Sequence, residues 1–229
     1  MFERLSRTRQ KNQGGMTQRR GITFSIDMFN KTGKHFMKFA AESIRVKGVR
    51  FDVALIIVLI LASFLPRLLD LGTFLTADEK TWIVRSYEFI RAFKDVRFND
   101  MLQTTHPGVT TMWVSGAVIS AKMFLAHIPF TSNGLIYFIK SAQLPIAFLN
   151  ALAIPLLYML LKKMSGKTIA FLAALFLALD PYIIGYSRVV HVDALLGSFL
   201  TLAVISTIVY ARSLTRRWLI ISAICSALA

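Results

Sequence analysis

The chain alternates long apolar runs with short polar breaks. The first run, FDVALIIVLILASFL from Phe51, is apolar after Asp52, and with Pro66-Arg67-Leu68-Leu69 it approaches the roughly 20 residues that cross a bilayer as a helix. Further runs cover 107–125, 135–161, 168–186 and 190–211, and a last one starts at Trp218 and reaches Ala229 short of a full span. Only the weak Leu61-Ala62-Ser63 resembles a cleavage site, and a long polar segment precedes the first run, so an uncleaved anchor is expected rather than a signal peptide. Between the first two runs the period changes. Over 76–94, Ile83, Tyr87, Ile90 and Phe93 share one helical face while Lys80, Arg85, Glu88 and Arg91 lie elsewhere, and Thr76-Ala77-Asp78-Glu79 has capping-box spacing. A helix of this kind beside a span is expected to rest on the membrane surface.

Composition moves the picture further from soluble proteins. Of 229 residues, 55% are apolar and 17% charged, against about 25% charged in ordinary soluble domains. The net charge of +15 is concentrated: residues 1–50 hold 12 Lys and Arg against Glu3, Asp27 and Glu42, which is +9. A nucleic-acid binder would spread its cations over a folded surface, so this tail is read as cytoplasmic, in part disordered, touching anionic lipid rather than nucleic acid. Cys225 is the single cysteine and has no disulfide partner.

Lys and Arg in short loops mark the cytoplasmic side. With the tail inside, the loops carrying Lys162, Lys163 and Lys167, and Arg212, Arg216 and Arg217, are both cytoplasmic only if run 107–125 does not cross. Lys122, Thr110, Thr111, Ser115 and Ser120 within that run agree with a helix lying in the outer interface. The expected organisation is a basic tail 1–50 and a transmembrane domain 51–229. Its spans lie at about 52–69, 135–161, 168–186 and 190–211, with an incomplete one at 218–229 and an outer loop 70–134. This is an all-α, polytopic transmembrane bundle with amphipathic surface helices in its first outer loop, part of a longer protein in the plasma (inner) membrane.

Three polar clusters then share the outer side: Asp78-Glu79, His106-Pro107-Gly108, and Ser187-Arg188-Val189-Val190-His191-Val192-Asp193. Ionisable groups at an apolar boundary are costly and mark sites by default. Each also has a plainer account. Asp78 and Glu79 complete a helix N-terminus, His106 sits in a loop, Arg188 reaches headgroups, and Asp193 caps a helix starting near Val190.

The combination LTADEKTW, THPG and LFLALDPYIIGYSRVVHVDALL resembles the N-terminal half of membrane glycosyltransferases that use polyprenyl-phosphate sugars. It is similar to protein O-mannosyltransferases fed by dolichyl-phosphate mannose and to transferases that add aminoarabinose to lipid A, over about residues 52–229. The resemblance implies an inverting transferase. Asp78, with Glu79 beside it, would be the base on an acceptor hydroxyl, because a neutral hydroxyl is a poor nucleophile. Arg188 would meet the phosphate released from the donor, with Lys80, Lys140 and His191 as further cations. Arg188 and His191, three apart, would share a helical face. His106 resembles the family's His-Pro element, with Gly108 where the family often has a second Pro, and Asp193 is a further site candidate. Asp78-Glu79 is not a DxD pair and the remote histidines do not make a metal site, so no cofactor is assigned, although a divalent ion stays compatible with the chemistry. The implied partners are a polyprenyl-phosphate sugar, such as one of mannose, a protein or lipid acceptor, and membrane lipids. The alternative is a non-enzymatic transporter or channel fragment, for which Asp180-Pro181, breaking an apolar run, is the one favouring feature.

Overall fold

The structure, a computed structural model, describes residues 52–105, 108–131 and 134–229, and every regular element among them is helical. The tail 1–50 lies outside the described residues. Eight α-helices follow in order among the described residues: α1 (52–68), α2 (Ala77–Lys94), α3 (Val109–Ala126), α4 (Ile139–Ser165), α5 (Lys167–Leu179), α6 (Pro181–Tyr186), α7 (Val192–Ser213) and α8 (Arg216–Leu228). Among the described residues three stretches, Val109–Ala126, Leu135–Ser165 and Val192–Ser213, are long and apolar enough to cross a membrane. Such an all-helical chain is a polytopic membrane protein.

The helices pack within the compact unit Leu55–Ala229. Helix α4 is its axis. On one side its Ile154 and Tyr158 meet Leu59 of α1 and Ala170, Ala174 and Ala178 of α5. Those three alanines recur every fourth residue, so they form a small-residue stripe that lets helices approach closely, which is how apolar helices associate where lipid supplies no hydrophobic drive. On the other side Ala153, Leu157 and Leu160 meet Leu202, Ala203 and Val209 of α7 and Cys225 of α8. The first turns of α4 contribute Ile139 and Ala142 to a third core, with Trp82, Ile83 and Phe89 of α2 and Met112 and Ile119 of α3.

The amphipathic face of α2 differs from the expected one. Trp82, Ile83, Ser86, Phe89 and Ala92 are buried, whereas Phe93 is exposed. The reason is tertiary: α2 packs on α3 and the start of α4, and the contact runs along the Trp82 side. Its approach to α3 is close at Gly116, where an added Cβ would stand 2.2 Å from the Ser86 carbonyl oxygen and 2.6 Å from Ile90 Cγ1. Gly116→Ala should therefore cost about 1–3 kcal/mol through overpacking, read as a lower unfolding temperature in detergent. An unchanged temperature would mean that α2 can move aside.

Run 168–186, read as one span, is two helices. Asp180 breaks it: its Oδ1 accepts the Ile183 N–H at 3.0 Å and Pro181 takes the first helical position of α6, where its missing N–H costs nothing. The carbonyls of Leu177 and Ala178 at the end of α5 accept from the fully buried Arg67 guanidinium at 3.2 and 2.8 Å. A side chain from α1 thus supplies the donors that the interrupted backbone lost.

At the opposite end of α4 the basic connections meet. Lys163 and Arg217 lie over the ring of Trp218 at 5.2 and 4.8 Å.

Candidate active site

The connection from α1 to α2 and the connection from α6 to α7 face each other across a cavity of about 510 Å³. Asp70, Thr73, Phe74 and Asp78 line one wall, Tyr186, Arg188 and His191 the other, and Gln143 of α4 the floor. The structure thus brings Asp78, Arg188 and His191 of the expected set to one place.

Asp78 sits in the first turn of α2, near the positive end of the helix dipole. Its carboxylate is exposed and makes no hydrogen bond or ion pair among the described residues. Its neighbour is in the opposite state. Glu79 is fully buried, with Oε2 accepting from the Thr76 N–H at 3.2 Å and Oε1 from Gln143 Nε2 at 2.8 Å and the Val190 N–H at 2.9 Å. A buried carboxylate survives only if its lone pairs are used, and bonds to a charged group contribute about 1.5–3 kcal/mol each. The capping box therefore does more than close a helix end; it ties α2 to α4 and to the residue beside His191.

Arg188 does not lie on a helix. The chain turns through 187–191, with the Arg188 N–H on the Gly185 carbonyl and the His191 N–H on the Val189 carbonyl, so Arg188 and His191 share a cavity wall rather than a helical face. The Arg188 Nη2 donates to the carbonyls of Leu69 and Asp70 at 2.8 and 2.9 Å. Asp70 has a φ of 56°, uncommon for a residue with a Cβ, and the two bonds hold that backbone in place.

His191, not Asp193, caps α7, in extended conformation. Asp193 falls in the first turn, its Oδ2 accepting the Tyr186 hydroxyl at 2.7 Å and lying 3.2 Å from His191 Nδ1. The His191 ring meets Trp82 and Tyr186 edge-on, at centroid distances of 6.0 and 6.2 Å. Lys80 is exposed and does not line the cavity; Lys140, beside Gly72, does not line it either. His106 and Pro107 lie outside the described residues. Gly108 has a φ of 139°, and a Cβ there would come within 2.4 Å of Val192 Cγ1, so the position suits glycine and not the fixed φ of proline.

A second cavity of about 430 Å³ opens between α4, α6 and α7, and Tyr186 lines both. Ile154, Leu157, Leu177 and Leu202 make it mainly apolar. Asp193 belongs to its lining, as does the pair Asn150–Ser198, joined at 2.6 Å.

Two residues of this arrangement escape a reading of the sequence. Gln143 is 3% exposed and spends its whole amide: Oε1 accepts the Gly72 N–H at 2.7 Å, and Nε2 donates to the Phe74 carbonyl at 3.0 Å and to Glu79. Its only signal is an amide inside an apolar run. Tyr186 is hidden among the aromatic residues of run 168–186.

Residues 138–229 match the profile of the dolichyl-phosphate-mannose-protein mannosyltransferase family. The match takes in Gln143, Tyr186, Arg188, His191 and Asp193 and begins after Asp78 and Glu79. No curated protein and no solved structure matches the chain.

Proposed function

We propose, from a chain that carries this family's domain over residues 138–229 and is thus a glycosyltransferase drawing on a lipid-phosphate sugar, that it moves mannose with inversion to a hydroxyl acceptor at the outer membrane face. The observation that carries this reading is the cavity where Asp78, a carboxylate with no hydrogen bond or ion pair among the described residues, stands with Arg188 and His191. The acceptor oxygen attacks the anomeric carbon as the bond from that carbon to the phosphate oxygen breaks. Asp78 takes the hydroxyl proton, and the polyprenyl phosphate leaves with its electron pair toward Arg188, whose fixed charge needs no reorganisation. The apolar cavity beyond Tyr186 suits the first isoprene units of the carrier.

Orientation is part of the proposal. Hydrogen bonds from α3 to the α4 region fall at its start, Ser115 to the Ala142 carbonyl and Lys122 to the Tyr137 carbonyl, which supports a helix lying at the outer end of α4 rather than along it. The test uses the full chain in sealed vesicles with radiolabelled polyprenyl-phosphate mannose. Label should pass from lipid to acceptor on the face where cysteines placed at Asn99 and Thr131 both react with an impermeant maleimide, while one at Arg216 reacts only after permeabilisation. Protection of the Thr131 site alone would make α3 a span and put Arg188 on the cytoplasmic side. Failure to consume the labelled donor would end the enzymatic reading.

A further inference from the structure

The two cavity walls belong to segments more than 100 residues apart, and something must hold them in register for Asp78 and Arg188 to act on one substrate. The geometry points to Gln143 as the positioning residue that does so, with Glu79 as its relay; this rests on the functional reading above. Gln143 projects from α4, the axis of the fold, and its three bonds fall on Gly72, Phe74 and Glu79, bracketing the segment that carries Asp78 toward the cavity. Glu79 passes the connection on, since the oxygen that accepts from Gln143 also accepts from the Val190 N–H. Val190 lies between Arg188 and His191, so one line of hydrogen bonds runs from α4 to both walls.

The chemistry of the two groups is specific. Gln143 must offer an acceptor to Gly72 and donors to Phe74 and Glu79, which a primary amide does and a carboxylate does not. Glu79 must offer acceptors on both oxygens, which a carboxylate does and an amide does not. Each is therefore intolerant of the other's side chain, although they differ only by an NH₂ in place of an oxygen. A glutamine at 79 would turn an N–H₂ toward either Thr76 or Val190, each already presenting an N–H. A glutamate at 143 would face the Phe74 carbonyl and the Glu79 carboxylate.

The experiment compares the full-length protein with Gln143→Met, which keeps length and apolar packing but removes all three bonds, and with Gln143→Glu. Hydrogen exchange is followed by mass spectrometry, and kcat and KM are measured with radiolabelled polyprenyl-phosphate mannose, normalised to folded protein. In Gln143→Met, exchange should rise in peptides covering 70–79 and 188–191 but not along α7, and kcat should fall by about 10–100-fold, the scale expected when catalytic groups move by about 1 Å. Donor KM should change less than kcat, and Gln143→Glu should be at least as impaired. Wild-type kcat per folded molecule in Gln143→Met would overturn the proposal. So would a loss of activity matched by a general rise in exchange, since that is the mark of plain destabilisation. If instead the unaltered protein consumes no donor, the functional reading has failed, whatever the exchange pattern shows.

Discussion

Asp78→Asn should lower sugar transfer by about 10²–10⁴ while leaving donor binding near its original level, because the amide keeps the size of the side chain but cannot accept the acceptor's proton. The structure sharpens this expectation. Asp78 is exposed to the cavity and makes no hydrogen bond or ion pair among the described residues, so the substitution removes neither there. A role limited to the helix dipole would give another result: loss of about 0.3–1 kcal/mol of stability with turnover intact. Glu79→Gln is a poor control, since Glu79 accepts three N–H donors in a buried position. Lys80→Ala is the better one, being nearby, exposed and outside the cavity lining. Full activity in Asp78→Asn at normal expression would remove it as the base.

Arg188→Ala should cut kcat by about 10²–10³, the loss typical when a fixed donor to a developing oxyanion is removed. A structural contribution has to be separated from it, because Arg188 Nη2 also holds the carbonyls of Leu69 and Asp70. Arg188→Lys makes the separation. An ammonium restores charge at the cavity but not the planar fork, so partial recovery of kcat with continued looseness of segment 69–74 would assign the charge to chemistry and the fork to the loop. Equal loss in both variants, with segment 69–74 disordered in both, would assign Arg188 to holding the loop alone.

The helices are legible because apolar runs of this length have few alternatives, whereas run 168–186 reads as one span although Asp180-Pro181 interrupts it and ends α5 at Leu179. The rest depended on partners far away in sequence. Periodicity alone sets the apolar face of α2 about one residue position away from the buried one: it weights Phe93 like Trp82, and only packing against α3 and α4 covers Trp82 and leaves Phe93 exposed. The spacing of Arg188 and His191 fits a shared helix face, yet the turns at 187–191 end one helix and start another. The capping box predicted one of Glu79's three hydrogen bonds. The other two come from Gln143 and Val190, 64 and 111 residues on, and no local pattern announces them.

The interruption at Asp180 also has a consequence for the lipid around the protein. In the proposed orientation α5 enters from the cytoplasmic side, and its 13 residues rise only about 20 Å, against a hydrocarbon core of about 30 Å. Its last carbonyls therefore end within the outer leaflet in that orientation, where the Arg67 guanidinium satisfies them. On that flank a lipid facing the break meets polar groups below the outer boundary, and thinning of the bilayer to reach them costs a fraction of a kcal/mol per Å of mismatch. On the proposed function, the thickness of the host membrane should therefore change how readily a carrier's headgroup reaches Tyr186, read as a dependence of donor KM on acyl-chain length in reconstituted bilayers.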